Sequence, residues 1–231
     1  MGAYGATSPS AKPTPVPGAA RRTVRVLREA AKTWPFWLLA GMFAVCGAST
    51  NGVMWAHFVP AASMHGMAVP VAASMLTIVG IANVAGTIGS GWLTDRFNPS
   101  LLLVGYFVLR AVSLFMLPHL FGPTVGPGLI AFAVSFGILD LATVPPTIML
   151  CRQIYGSDGA IVFGWVNASH QVGAALVAFL GGVIRDATGT YDPIWFITGG
   201  LCLGAAVMAR FIVATPRVLK NESPREEVLA R

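Results

Sequence analysis

Charge is what this chain has least of. Asp, Glu, Lys and Arg make up only 10% of its 231 residues, against about a quarter in an ordinary globular domain. So few charges cannot cover a surface that faces water. The acidic residues are the scarcer sign, 9 against 15 Lys and Arg, for a net charge of +6. The surplus does not point to nucleic acid, because the bases sit at the chain ends and in short loops rather than on a patch interleaved with aromatics. Cysteine is scarce as well. Cys46, Cys151 and Cys202 are odd in number, lie in or at the ends of apolar segments and show no CxxC spacing, so no disulfide framework, metal site or cofactor is expected.

Apolar length is what the chain has in abundance. Hydrophobic residues take 55% of the sequence and the mean hydropathy is +0.70. Between residues 34 and 215 there are six apolar stretches of roughly 20 residues or more, each long enough to cross a hydrocarbon layer of about 30 Å at ~1.5 Å per residue. The strands of a membrane barrel would be shorter and polar at every second position, a pattern these segments lack. The fold class expected is therefore an all-α membrane protein with six transmembrane helices.

Three regions follow. Residues 1–33 are expected to be a disordered, basic cytoplasmic tail, rich in Gly, Ala, Ser and Pro and ending in Arg21, Arg22, Arg25, Arg28 and Lys32. The basic run resembles the start of a signal peptide, yet the apolar run behind it is too long and lacks a cleavage site, so an uncleaved first helix is expected. Residues 34–215 form the bundle, with helices at Trp34 to His65, Val69 to Asp95, Ser100 to His119, Gly126 to Tyr155, Asp158 to Thr188 and Tyr191 to Thr215, punctuated by Gly and Pro. Residues 216–231 form a second cytoplasmic tail. Lys12, the five bases above, Arg96, Arg152, Arg217, Lys220, Arg225 and Arg231 fall on one side and little beyond Arg185 on the other, which places both termini in the cytoplasm of a multi-pass cell-membrane protein.

Between the second and third helices stands Gly91-Trp92-Leu93-Thr94-Asp95-Arg96-Phe97. Gly91 suits close approach of a neighbouring helix, and Asp95 can accept from a helix N-terminus or pair with Arg. An ordinary helix end with a stop signal is the alternative. This G-x-x-x-D-R pattern after the second helix of a six-helix unit resembles the loop motif of the major facilitator superfamily. Asn98, Pro99 and Ser100, standing where the fuller motif has a glycine and two bases, resemble its degenerate C-terminal copy. The stretches Gly86 to Arg96, Leu109 to Leu114, Leu139 to Thr147, Phe163 to Trp165 and Ala168 to Ala174 look like the bacterial monocarboxylate-transporter-like branch, similar to oxalate/formate antiporters. The resemblance covers about residues 34 to 215 and implies the C-terminal six-helix half of a transporter of small organic anions, proton-coupled or working by exchange. Its implied partners are the lipid bilayer, the organic anion, and a separate N-terminal half or a second copy in a homodimer. A truncated, non-transporting membrane protein or scaffold is the alternative.

Arg110 and Asp140, near the middles of the third and fourth helices, stand out, because a charge at the bilayer centre costs about 2.5 to 3.5 kcal/mol even on lenient scales. They are expected to face the interior, pairing with each other or serving a substrate carboxylate and a coupling proton. A static ion pair is the alternative. Asn167, His170, Gln171 and Ala174 recur at i, i+3, i+4 and i+7 and make one polar face, expected to line a cavity. Asn83 on the second helix and Asn51 and His57 on the first extend the candidate pathway, with the histidines equally suited to structural bonds. Pro145-Pro146 are expected to kink the fourth helix after Asp140, as a hinge or a fixed bend. An enzyme is not expected: Gly89-Ser90-Gly91 would need a histidine from the last helix, which has none, and no HExxH spacing occurs.

Overall fold

The computed structural model describes residues 19–212. The C-terminal tail, the end of the last helix beyond Ile212, and the bases Lys12, Arg217, Lys220, Arg225 and Arg231 lie outside them. All regular structure among the described residues is helical. The order is α1 (Ala19–Ala30), α2 (Trp34–Gly47), a π-helical segment (Ala48–Met54), α3 (Trp55–Met64), α4 (Val69–Thr94), α5 (Pro99–Met116), α6 (Pro127–Asp140), α7 (Val144–Tyr155), α8 (Gly159–Thr188) and α9 (Asp192–Phe211).

Proline starts these helices more often than it interrupts them. Pro35, Pro70, Pro99, Pro127, Pro145 and Pro193 all lie in first turns, where the missing N–H would have had no intrahelical acceptor. Glycine ends three elements with a positive φ: Gly66 after α3 at 85°, Gly156 after α7 at 59° and Gly189 after α8 at 78°.

Among the described residues, five helical stretches are long and apolar enough to cross a membrane, the longest being Pro127–Thr188 with 62 residues. As a straight rod it would run to roughly 90 Å, three times the hydrocarbon thickness. It is not straight: the chain turns at Gly156 and α7 packs on α8. The chain is a multi-pass membrane protein.

Small residues let the helices touch. Where α2 crosses α8, Gly47 lies against the His170 carbonyl and Gly173 against the Ala44 carbonyl, leaving no room for a Cβ on either side. The α4–α6 crossing repeats the device with Gly86 on the Ile138 carbonyl and Gly137 on that of Val79. Lipid tails are as apolar as leucine, so such contact, rather than exclusion from water, holds helices together in a bilayer.

Three sequence expectations change here. Residues 19–30, assigned to a disordered tail, form α1, because Val26 and Ala30 recur one helical turn apart and are buried beside α8. Arg22 anchors α1 to Asp158 at 2.8 Å. With side chains 54% and 24% exposed, this pair contributes little, and Arg22→Gln is expected to lower stability by less than about 1 kcal/mol in thermal unfolding of the purified chain. The first span is not a plain α-helix, since its middle carries the seven-residue π segment. The fourth helix does not bend at Pro145-Pro146: it stops at Asp140 and restarts at Val144, and both prolines sit in the first turn of α7. The helix yields one residue after Asp140 because side chains from neighbouring helices capture the freed backbone groups there.

Candidate functional site

The break at Leu141–Thr143 is the centre of a buried polar network. A helix ending inside a bilayer leaves carbonyls without partners, at several kcal/mol each if nothing replaces them. Several of the freed groups are met by side chains from other helices. Arg110 on α5, fully buried, donates through Nη2 to the carbonyls of Leu139 and of Asp140, the latter at 2.7 Å. Its Nη1 donates to Ser49 Oγ at 3.2 Å and Cys46 Sγ at 3.3 Å, and its guanidinium lies 5.5 Å from the centre of the Phe107 ring. Ser90 Oγ donates to the Ala142 carbonyl at 2.5 Å, the Leu141 amide donates to Asn83 Oδ1 at 3.2 Å, and Thr143 Oγ1 lies 3.2 Å from Cys46 Sγ.

Arg110 and Asp140 are thus neighbours, as expected, but not as an ion pair. The arginine takes the Asp140 backbone carbonyl, and among the described residues no salt bridge joins the two side chains. The reason lies in the helix end: its last carbonyls carry the negative pole of the dipole and have no other donor, so a guanidinium serves there as a cap. The Asp140 carboxylate turns to the other side. Its Oδ2 accepts from Asn83 Nδ2 at 3.3 Å and Trp55 Nε1 at 3.4 Å, while Oδ1 is buried with no partner among the described residues. Asp140 is only 2% exposed, whereas the Trp55 indole that covers it is 40% exposed.

The other expected residues divide. Asn83 joins the network and is fixed further by Thr87. His170 approaches it, with Nε2 3.5 Å from Thr50 Oγ1, and packs on Phe43. Asn51, Asn167 and Gln171 are exposed and make no side-chain hydrogen bond among the described residues. His57 lies apart from the network: its Nε2 donates to the Ala178 carbonyl at 2.9 Å and its ring rests on Tyr191, so it ties α3 to α8.

Sequence reasoning missed Trp55, Cys46, Ser49 and Thr50. The signal was present, since positions 46, 49 and 50 share a helical face and Trp55 is one turn beyond Asn51, but small polar side chains in a membrane helix read equally well as packing contacts.

The loop motif is looser than expected. Nothing lies within 4 Å of a Cβ placed on Gly91, and the close approach to another helix falls instead at Gly86. Asp95 is exposed and its side chain has no partner among the described residues. Arg96 stacks on Trp92, 4.0 Å from the ring centre, and donates to its carbonyl. Asn98 accepts from the Ser100 amide and caps α5. The motif instead borders a cavity of about 1060 Å³, walled also by Met149, Gln153 and Arg210.

Comparison with known proteins agrees with this architecture. The fold resembles that of the fucose:proton symporter FucP of E. coli, with a TM-score of 0.69 and 22% identity over 83% of this chain and 46% of that one. Among curated proteins, monocarboxylate transporter 13 of Bos taurus is 30% identical over 138 residues, 58% of this chain and 32% of the relative. Monocarboxylate transporter 12-B of Danio rerio is 28% identical over 199 residues, 84% of this chain and 40% of the relative. The MFS-type transporter YtbD of Bacillus subtilis is 32% identical over 56% of this chain and 32% of its own length. The chain thus spans about a third to two fifths of the curated relatives it matches. The family model of the Major Facilitator Superfamily matches residues 38–231, most of the sequence, and the chain belongs to that superfamily.

Proposed function

We propose that this chain is the C-terminal, six-span half of a facilitator that carries a small organic anion across the cell membrane, driven by protons or by exchange. Six spans follow if Pro127–Thr188 is counted as two, a reading its 62 residues support. Both described ends then lie on one side, and the bases of α1 support a cytoplasmic side for them. A complete pathway forms with a second six-helix unit, either a separate N-terminal half or another copy of this chain. The monocarboxylate transporters among its relatives support a carboxylate cargo.

The observation that carries the reading is Asp140: a carboxylate 98% removed from solvent, with one oxygen free, at the break of a spanning helix. Broken helices at the midplane are where transporters build their sites. Asp140 takes up and releases the coupling proton, Asn83 and Trp55 orient it, and Pro145 and Pro146 make the restart of α7 a hinge. Arg110, with both terminal nitrogens committed, holds the break in shape rather than gripping cargo. Exposed Asn51, Asn167 and Gln171 contribute to the anion-facing surface, with His170 behind them, and Gly91, Asp95 and Arg96 act where the two units meet.

The test is proteoliposome uptake of small carboxylates by the purified chain, alone and co-expressed with a facilitator N-terminal half, alongside its mass in detergent. A dimer or hetero-pair with saturable uptake accelerated by an inward proton gradient is expected. Asp140→Asn is then expected to keep exchange and lose at least tenfold of the gradient-driven rate, since a positioned proton carrier contributes roughly 10²–10⁴ in rate. Uptake that Asp140→Asn leaves equally responsive to pH would overturn the assignment.

A further inference from the structure

Helix α1 presents two opposed faces. Val26, 4% exposed, and Ala30, fully buried, seat it against the bundle, and Arg22 bonds Asp158 on that flank. Opposite them, Arg21, Val24, Arg25 and Arg28 fall within one arc of the helix, because residues three, four and seven apart share a face. All four are exposed, Val24 to 61%, and the three guanidiniums have no hydrogen-bond or ion-pair partner among the described residues. The acid of the same helix, Glu29, is taken by Lys32 at 2.8 Å, which holds its carboxyl below the ordinary range. Arg28 and Arg25 feel the same carboxylate at longer range, which leaves three guanidiniums without a close ion pair around one valine and a net positive charge on the face.

The connection to the first span places this face. Only three residues separate α1 from α2, and they are bonded in place, with the Ala31 amide on the Leu27 carbonyl, the Thr33 amide on that of Ala30 and the Trp37 indole on that of Ala31. Trp34 and Trp37, 70% and 59% exposed, begin the span. Tryptophans at the end of a membrane helix settle at headgroup level, so α1 is held at that depth and cannot swing away.

We propose that α1 is a lipid-binding element whose Arg21, Arg25 and Arg28 engage the phosphates of anionic phospholipids in the adjoining leaflet, with Val24 dipping between them. A guanidinium fork matches a phosphate bidentately, and a basic amphipathic helix gains both from apolar burial and from the surface charge of the leaflet. The inference is independent of cargo and coupling.

The experiment places a polarity-sensitive fluorophore on Val24→Cys in the full chain. The three native cysteines are all buried, which directs labelling to the new thiol. The chain is reconstituted in nanodiscs of phosphatidylcholine with increasing phosphatidylglycerol. The emission is expected to shift to the blue as phosphatidylglycerol rises, and to revert in high salt as screening shortens the reach of charge. Each arginine replaced in the series Arg21→Gln, Arg25→Gln and Arg28→Gln is expected to raise the half-saturating phosphatidylglycerol fraction about fivefold, from about 1 kcal/mol per basic residue at a membrane surface. Arg22→Gln, on the other flank, is expected to respond as the parent does. These substitutions lie on an exposed face, so unchanged helicity by circular dichroism is expected throughout. An identical emission in neutral and anionic nanodiscs, an unaltered response in the triple variant, or the same shift produced by inorganic phosphate in neutral nanodiscs would each overturn the proposal.

Discussion

Gly173→Val is expected to leave little folded protein. At the α2–α8 crossing a Cβ on residue 173 would overlap the Ala44 backbone carbonyl, and the reciprocal position, Gly47, is already against the His170 carbonyl. Backbone cannot rotate aside as a side chain can, so the helices must separate along the whole crossing and lose the contact that stands in for the hydrophobic effect in lipid. Overpacking of this kind costs about 1–3 kcal/mol where side chains can yield, and more than about 3 kcal/mol is expected here, a large part of the usual 5–15 kcal/mol of a folded domain. Gly164→Val is the internal control, since the same helix offers open space at that position. Size-exclusion chromatography and thermal unfolding in detergent provide the measurement: a monodisperse control beside an aggregated Gly173→Val is the expected pair. Equal behaviour of the two variants would mean that the crossing does not hold the bundle together.

Arg110→Met should be the next most damaging change. It fills similar space but withdraws four donated bonds and leaves the Leu139 and Asp140 carbonyls orphaned inside the bundle. An unmet buried acceptor costs about 1–3 kcal/mol, so a loss of roughly 3–5 kcal/mol is expected. Arg110→Lys is expected to recover only part of it, because an ammonium is a single compact centre and cannot span two carbonyls, a thiol and a hydroxyl at once. Thermal midpoints of the three proteins, read beside carboxylate binding, separate the possible roles. If Arg110→Met kept its full stability and lost only binding, the arginine would be a cargo ligand after all and the capping role would fall.

Other parts of the molecule show how far sequence reasoning reaches. The spans were legible because each apolar run is bounded by Pro or Gly, and a bilayer allows few ways to satisfy the backbone of such a run. Arg110 and Asp140 were legible because charge in an apolar run is costly enough to demand a reason. Their relation was not. An arginine can be met by a carboxylate or by the carbonyls of a broken helix, and only the position of the break, one residue after Asp140 rather than at Pro145, decides between them. The glycines of the loop and of the crossings look alike along the chain, yet Gly91 faces open space while Gly86 touches backbone.

By itself, then, the sequence determined that the chain is helical and crosses a membrane repeatedly, because composition and period report local burial, while its loop motif carried the resemblance to the facilitators. The tertiary structure alone decided which carbonyls Arg110 caps, that Trp55 covers Asp140, that the first span carries a π segment, and that a basic stretch forms a helix with an exposed arginine face. Those features arise between residues distant in the chain, where partners are chosen by the geometry of packed helices and not by spacing along one of them.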